Sequence, residues 1–479
     1  MYSGSINMKL LFAFLLLFGL SLTTSAQSRQ QQKVDSVFAL VKKYFNQKNA
    51  DAIYNMAGDE FQKELSINSF NEVAAKNLFP LGEIKESLLI NFVNNSTATY
   101  KLKLSSVTLQ LLMNLDKRDK LQLFLFQPFT EPVGNKTALV PSSNLLRSET
   151  DKKIDTVARQ YIQKANTVGL CIGVVDNGKI STYAYGTTIK DVAKLPNSDT
   201  FFELGSITKT FTATLLAYYV NEGKVKLTDQ ITKYLPDSVA ANPELKLITL
   251  QQLSNHTSGL ARMPDNLVNH AADPLNPYKD YTKQLLYTYL KNCKLESKPG
   301  DQYGYSNLGV GLLGSILETV SGQPFNRMIT DIICKPLGML STNQFVNPLL
   351  APRFAQVYNT NGTATPAWDF DVLAPCGALK STLKDMLIYA KANLNAGNDQ
   401  LHKAIALTHQ VTFGKDVKIG LGWHVVVVNG ISYYFHDGGT YGSSSFLAFN
   451  LEKNLAIIVL SNSAENTNSV GVEILKKIQ

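Results

Sequence analysis

The sequence predicts an α+β protein in two parts. A small α+β domain occupies residues 33–129. A larger domain, an antiparallel sheet flanked by helices and joined to a helical lobe, occupies residues 149–479. Three observations predict this. Helical spacing gives way to period-two alternation near residue 98. Two Asn-Gly pairs lie between apolar runs at the opposite ends of the second part. A long, mainly helical stretch separates those ends. A chain of 479 residues has room for two or three domains, and a hydrophobic fraction of 44% suits packed cores.

The elements follow in order. Met8-Lys9 precedes a 13-residue apolar run, 10–22, and then the small residues Thr23-Thr24-Ser25-Ala26. A positive start, a short apolar core and a small-residue exit describe a signal peptide over 1–26, cleaved near Ala26. The run is short of the ~20 residues a spanning helix needs. No cysteine lies beside it to carry a lipid, and no other stretch is long and apolar enough to span. The expectation is an exported protein, periplasmic or extracellular, without a stable membrane anchor.

Val34, Val37, Phe38, Val41 and Phe45 lie on one helical face, and a second mostly helical stretch covers 50–78. Ala98, Tyr100, Leu102 and Leu104 then alternate with polar residues. Runs 107–115 and 121–126 flank the polar turn 116–120, giving an antiparallel meander. In this pattern the first domain resembles the cone-shaped, nuclear-transport-factor-like domains. It contains no catalytic constellation. Residues 130–148 are rich in Pro, Gly, Ser and Asn and read as a linker.

The second domain opens with a helix to about residue 165. Strands 170–175 and 180–185 are joined at Asn177-Gly178, a strong hairpin signal. Strands 423–428 and 431–435 are joined at Asn429-Gly430. Strands 446–449 and 455–460 and a last helix close the chain. The two ends together predict one sheet, with a groove against the helical middle as the natural site.

Composition excludes several classes. The net charge is +8, but lysines and arginines are scattered, without basic runs interleaved with aromatics. Nucleic acid is not an expected partner. Cys171, Cys293, Cys334 and Cys376 are far apart and form no disulfide framework or zinc spacing, and Cys171 reads as a small core residue. The six histidines are dispersed. No metal or organic cofactor is implied.

Ser206-Ile207-Thr208-Lys209 follows Gly205 at the start of an apolar, helix-like run. Residues three apart share a helix face, so Lys209 can reach Ser206. A serine hydroxyl becomes a nucleophile when a base takes its proton. A helix start also offers free N–H groups to a developing oxyanion, and Gly205 permits close backbone approach. The bland alternative is a capping serine and a solvated lysine. The same pattern recurs as Ser381-Thr382-Leu383-Lys384, where Thr382 and Asp385 read as a capping box.

Two further elements weigh against the bland alternative. Tyr305-Ser306-Asn307 supplies a phenol for acid or base work and an amide to hold the lysine and a substrate. A second such pattern, Tyr44-Phe45-Asn46, sits on the first amphipathic helix. His436-Asp437-Gly438-Gly439-Thr440 ends strand 431–435, with the Gly439 N–H as a possible second oxyanion donor.

In the order S-x-x-K, Y-x-N, H-x-G, residues 150–479 resemble the serine β-lactamase and penicillin-binding-protein family. They look most like class C β-lactamases and their esterase and D-amino-acid peptidase relatives. Residues 202–211, Asn255-His256-Thr257-Ser258-Gly259-Leu260, Pro336-Leu337-Gly338-Met339 and Ile419-Gly420-Leu421-Gly422-Trp423 fit the same resemblance. It implies a β-lactamase-like transpeptidase fold, with Ser206 acylated and Lys209 and Tyr305 sharing proton transfer. Asn307, His436 and Gly438 would orient the substrate. The amides of Ser206 and Gly439 would form the oxyanion hole. Ser381 falls after Tyr305, out of order, and His256 belongs to a turn that looks structural.

The chain departs from class C β-lactamases in carrying His436 where they carry lysine. A histidine of ordinary pKa ~6.5 is mostly neutral at pH 7. The expected substrate is therefore an ester or a D-amino-acid amide or peptide. A β-lactam or D-Ala-D-Ala substrate is the alternative. A non-catalytic binding or sensor module is a third reading, and the filled reactive positions speak against it.

Overall fold

The computed structural model describes residues 30–93, 97–129, 133–267, 271–395, 397–415 and 417–478. The signal-peptide assignment lies outside these residues. The chain divides into two compact units, Met1–Pro132 and Val133–Gln479.

In the first unit a helix over 30–46, α1, and shorter helices to residue 81 cover a meander. Its strands β1 (Ile84–Val93), β2 (Thr97–Leu104), β3 (Thr108–Leu115) and β4 (Leu121–Pro128) pair antiparallel in that order. Ala98, Tyr100, Leu102 and Leu104 are buried, as their period predicts. Phe38 of α1 stacks on Tyr100 with ring centroids 3.8 Å apart. The sequence reading missed β1. Irregular register between Ile84 and Glu86 and between Leu89 and Asn91 breaks its alternation.

The second unit is built on a seven-stranded sheet. Its strands are β5 (Gly169–Asp176), β6 (Lys179–Gly186), β9 (Lys418–Ile419), β10 (His424–Val428), β11 (Ile431–Gly439), β12 (Ser444–Asn450) and β13 (Leu455–Ser461). Their order is β9-β10-β11-β12-β13-β5-β6, each pair antiparallel. The two chain ends thus make one sheet, as predicted. A two-stranded pair, β7 (Phe201–Glu203) with β8 (Lys380–Thr382), lies in the helical part.

β12 and β13 are buried along their whole length because both sheet faces are covered. α2 (Glu149–Ile162) and α6 (Asn468–Ile478) share one apolar cluster with Ile172, Val174, Ile457 and Val459. The other face packs on the helical lobe. There α3 (Thr208–Asn221), α4 (Asn307–Ser321) and α5 (Leu383–Leu394) contribute to the largest cluster.

Residues 136–148 are anchored rather than loose. The Lys136 amide donates to the Gln163 carbonyl at 2.7 Å, and the Ser143 amide to the Ala184 carbonyl at 2.9 Å. Their Pro, Ser and Asn content reflects extended chain pinned to α2 and β6. All four cysteines are buried and unpaired. Among the described residues no helix is long and apolar enough to cross a membrane.

Candidate active site

β7 leads into a tight 3-10 turn, Gly205–Ile207, and then into α3. Gly205 takes the left-handed conformation, φ +50, and a Cβ there would stand 2.7 Å from the Gly439 nitrogen. Glycine is needed for both reasons. Ser206 therefore lies in the turn, with Lys209 one turn on. The helix N-cap is Ile207, which makes no side-chain cap bond. This removes the reading of Ser206 as a capping residue.

Lys209 is 1% exposed. Its Nζ lies 3.0 Å from Ser206 Oγ, 2.8 Å from Asn307 Oδ1 and 2.6 Å from the Cys376 carbonyl. Asn307 opens α4, and Ser306 before it caps that helix by accepting the Gly309 amide at 2.8 Å. The Asn307 amide group also donates towards the Tyr278 hydroxyl and Met263 Sδ, both at 3.3 Å. Tyr305 is held by its ring. Lys209 Nζ and the Arg262 guanidinium each lie 4.9 Å from its centroid, and the His256 ring lies 4.4 Å away.

The opposite wall is β11, which continues through His436 to Gly439 rather than stopping at Phe435. Gly438 pairs with Ser445 and Gly439 with Ser444. A glycine pair weakens a strand, which is why an end is expected there. Here the glycine lets another backbone in: a Cβ on Gly438 would stand 2.0 Å from the Leu204 carbonyl and 3.0 Å from the Ser206 amide nitrogen. The H-x-G segment and the turn that carries Ser206 are in backbone contact.

His436 is buried beside this contact. Its Nδ1 lies 2.6 Å from the Asp437 carbonyl. A carbonyl only accepts, so Nδ1 carries the hydrogen. Burial, then His424 and Lys209, hold its pKa well below the ordinary histidine range. His436 is a neutral ring with its lone pair on Nε2. His256 is likewise kept neutral, by burial first and by Lys209 next. It adopts φ +60 and ties down the loop before Asn307. Its Nδ1 accepts the Ser306 amide at 3.1 Å, and its carbonyl accepts the Gly304 amide at 2.8 Å.

The structure thus brings Ser206, Lys209, Tyr305, Asn307, His436, Gly438 and Gly439 together. It leaves Ser381 elsewhere. Ser381 is buried in β8 and shares a 2.7 Å hydrogen bond with Thr342. Thr382 caps α5 by accepting the Asp385 amide at 3.2 Å. Asp385 does not return the bond. Its carboxylate accepts from the Ser341 amide at 2.7 Å and the Thr342 hydroxyl at 2.8 Å, so the expected capping box is a single cap. Tyr44 and Asn46 lie on α1, in the other unit.

Sequence reasoning missed the Cys376 carbonyl, Arg262, Tyr278 and the Tyr303–His424 pair, joined at 2.7 Å. A backbone carbonyl has no letter to find. Tyr303 alone had a signal, its place two residues before Tyr305.

The Beta-lactamase family model matches residues 154–475. The chain belongs to the Beta-lactamase family. It is a hydrolytic enzyme, a serine hydrolase of that family. A Beta-lactamase of Pseudomonas fluorescens is 29% identical over 276 residues, which is 57% of this chain and 73% of that protein. Protein flp of Staphylococcus aureus is 28% identical over 337 residues, 66% of this chain, and the match spans 64% of that protein. The crystal structure of a Beta-Lactamase/D-Alanine Carboxypeptidase from Pseudomonas syringae superposes with a TM-score of 0.62 at 26% identity. That superposition covers 69% of this chain and 98% of the other. The family's fold is the one described here, an antiparallel sheet with helices on both faces and a helical lobe.

Proposed function

We propose that the protein is an exported serine hydrolase that forms an acyl-enzyme on Ser206 and acts on esters or on D-amino-acid amides and peptides. One observation carries the reading: the buried Lys209 Nζ faces Ser206 Oγ at 3.0 Å, and its two other partners are carbonyl oxygens. Those carbonyls each take one hydrogen whether the nitrogen is an ammonium or a free amine. The remaining direction meets Ser206 as an N–H in the first case and as a lone pair in the second. A proton can pass between Ser206 and Lys209 without a change of rotamer.

Ser206 Oγ attacks the substrate carbonyl, and its proton is taken into the Lys209–Tyr305 pair. The oxyanion is received by the amides of Ser206 and Gly439. Collapse breaks the bond to the leaving group, which takes up the proton. Water then hydrolyses the ester on Ser206, with the same pair moving its proton. Asn307 holds Lys209 through its carbonyl and orients the substrate through its N–H groups, which exchange Tyr278 and Met263 for the substrate. His436 and Gly438 line the far wall.

The neutral His436 supports esters and amides over β-lactams. It offers a lone pair and no positive charge to a substrate carboxylate. The names of the relatives favour a second reading, a β-lactamase or D-Ala-D-Ala carboxypeptidase. A panel of p-nitrophenyl esters, D-amino-acid p-nitroanilides, D-Ala-D-Ala peptides and a chromogenic cephalosporin separates the two. Turnover of the esters or anilides with little cephalosporin hydrolysis is expected. Cephalosporin hydrolysis with kcat/KM towards the ~10⁸ M⁻¹s⁻¹ ceiling establishes the second reading instead.

A further inference from the structure

We infer that Glu203, three residues before the nucleophile, is a positioning residue for the oxyanion hole: its carboxylate fastens the strand end beyond Gly439 to the segment that carries Trp368. The inference rests on the serine-hydrolase reading and adds a residue to it.

Glu203 ends β7 and is 3% exposed. One carboxylate oxygen accepts the Thr440 hydroxyl at 2.6 Å, and the other accepts the Trp368 amide at 2.6 Å. Thr440 follows Gly439 directly. The Trp368 indole lies 5.1 Å, centroid to centroid, from Tyr278, which takes a hydrogen bond from the Asn307 amide. Lys380 sits opposite Glu203 in the β7–β8 pair and donates to the Trp368 carbonyl at 2.7 Å. One buried carboxylate therefore spans the oxyanion wall and the wall that supports Asn307.

The donors fix what the group must be. The Thr440 oxygen already accepts the amides of Gly442 at 3.2 Å and Ser443 at 3.0 Å. A hydroxyl has two lone pairs and one hydrogen, so that hydrogen goes to Glu203. The Trp368 partner is also an N–H donor. Both oxygens of residue 203 must accept. A glutamine fails in either orientation, because its NH₂ meets a spent hydroxyl or another N–H. Burial raises the carboxyl pKa and Lys380 acts against that, which keeps the acceptor-only form within reach.

The test compares wild type, Glu203→Gln, Thr440→Val and Ser206→Ala on a p-nitrophenyl ester. The readouts are kcat, KM, the inhibition constant of phenylboronic acid and thermal midpoint. Phenylboronic acid forms a tetrahedral adduct and so reports the oxyanion hole. Glu203→Gln and Thr440→Val are expected to lower kcat about 10- to 100-fold, the scale of a small misplacement of catalytic groups. Phenylboronic acid binding falls by a similar factor, while KM changes less than about threefold. If Glu203→Gln does not fold, Thr440→Val alone carries the test, since it leaves the Glu203 charge while removing the hydroxyl's bond to it, together with the two bonds that hydroxyl accepts from the Gly442 and Ser443 amides. Wild-type kcat and boronate affinity in the folded variants overturn the inference and leave the hydrolase reading intact. Ser206→Ala as active as wild type overturns both.

Discussion

The chain carries the pattern S-x-x-K twice, and the two copies have opposite fates. At Ser206 the serine stands in a turn after a left-handed glycine, and the lysine folds back to 3.0 Å from it. At Ser381 the serine lies in a strand and bonds Thr342, while the following threonine caps a helix. Four letters do not distinguish them. Gly205 does, because its backbone lets β11 pass against the serine, and so do Asn307 and the Cys376 carbonyl, which seat the lysine.

The sharpest way to break this contrast is to remove each serine in turn. Ser206→Ala is expected to lower kcat on a turned-over ester by roughly 10⁶-fold, the scale seen when a serine hydrolase loses its nucleophile. Ser381→Ala is expected to keep wild-type kcat. Comparable losses in the two variants would end the distinction.

Gly205→Ala tests the turn itself. Its left-handed φ costs about 1–2 kcal/mol for a residue with a Cβ, and that Cβ meets the Gly439 backbone at 2.7–3.0 Å. A thermal midpoint lowered accordingly is expected, together with a kcat loss of about 10²–10³, as when an oxyanion donor is displaced. A variant with unchanged kcat would mean that the approach of the two backbones is incidental.

Acid sharpens the contrast in another way. His256, His424 and His436 surround Tyr305 and Tyr303, and burial depresses the pKa of each. His409, further along the helical lobe, is pushed down to about 4. Below pH ~6.5 the unfolded chain takes up these protons while the folded chain does not, so stability is full above that pH and falls below it. For His409 alone the loss from pH 6.5 to 5 is about 2 kcal/mol. Asp385, beside Ser381, has its carboxyl raised by burial and acts with the opposite sign, losing stability as pH rises through the acid range. The histidines are more numerous, so thermal midpoints are expected to fall between pH 7 and pH 5. A midpoint that rises would show that they are not buried neutral. The smallest effect is on stability in Ser381→Ala, about 1 kcal/mol for the lost hydrogen bond to Thr342.

Much of this was legible in the letters. Asn177-Gly178 and Asn429-Gly430 take positive φ at both residues, 49 and 83 in the first and 49 and 79 in the second, as Asn-Gly hairpins predict. The order of Ser206, Tyr305 and His436 picked out residues far apart in the chain that the fold brings together. What escaped was set by tertiary contact. β1 is hidden by its bulges. The reach of β11 to Gly439 depends on the Leu204 carbonyl passing over Gly438. Asp385 fails to close its capping box because Ser341 and Thr342 claim its carboxylate. Glu203 stood in plain view three residues before Ser206, but its partners, Thr440 and Trp368, are more than 160 residues away.

The central claim is that Ser206 is acylated. The direct measurement is mass spectrometry of the intact protein and its peptides after incubation with a p-nitrophenyl acyl ester and with benzylpenicillin. A mass increase equal to the acyl group, located on the peptide containing Ser206 and absent from Ser206→Ala, is the predicted result. Turnover of the ester with Ser206 unmodified, or an adduct that persists in Ser206→Ala, would contradict the account.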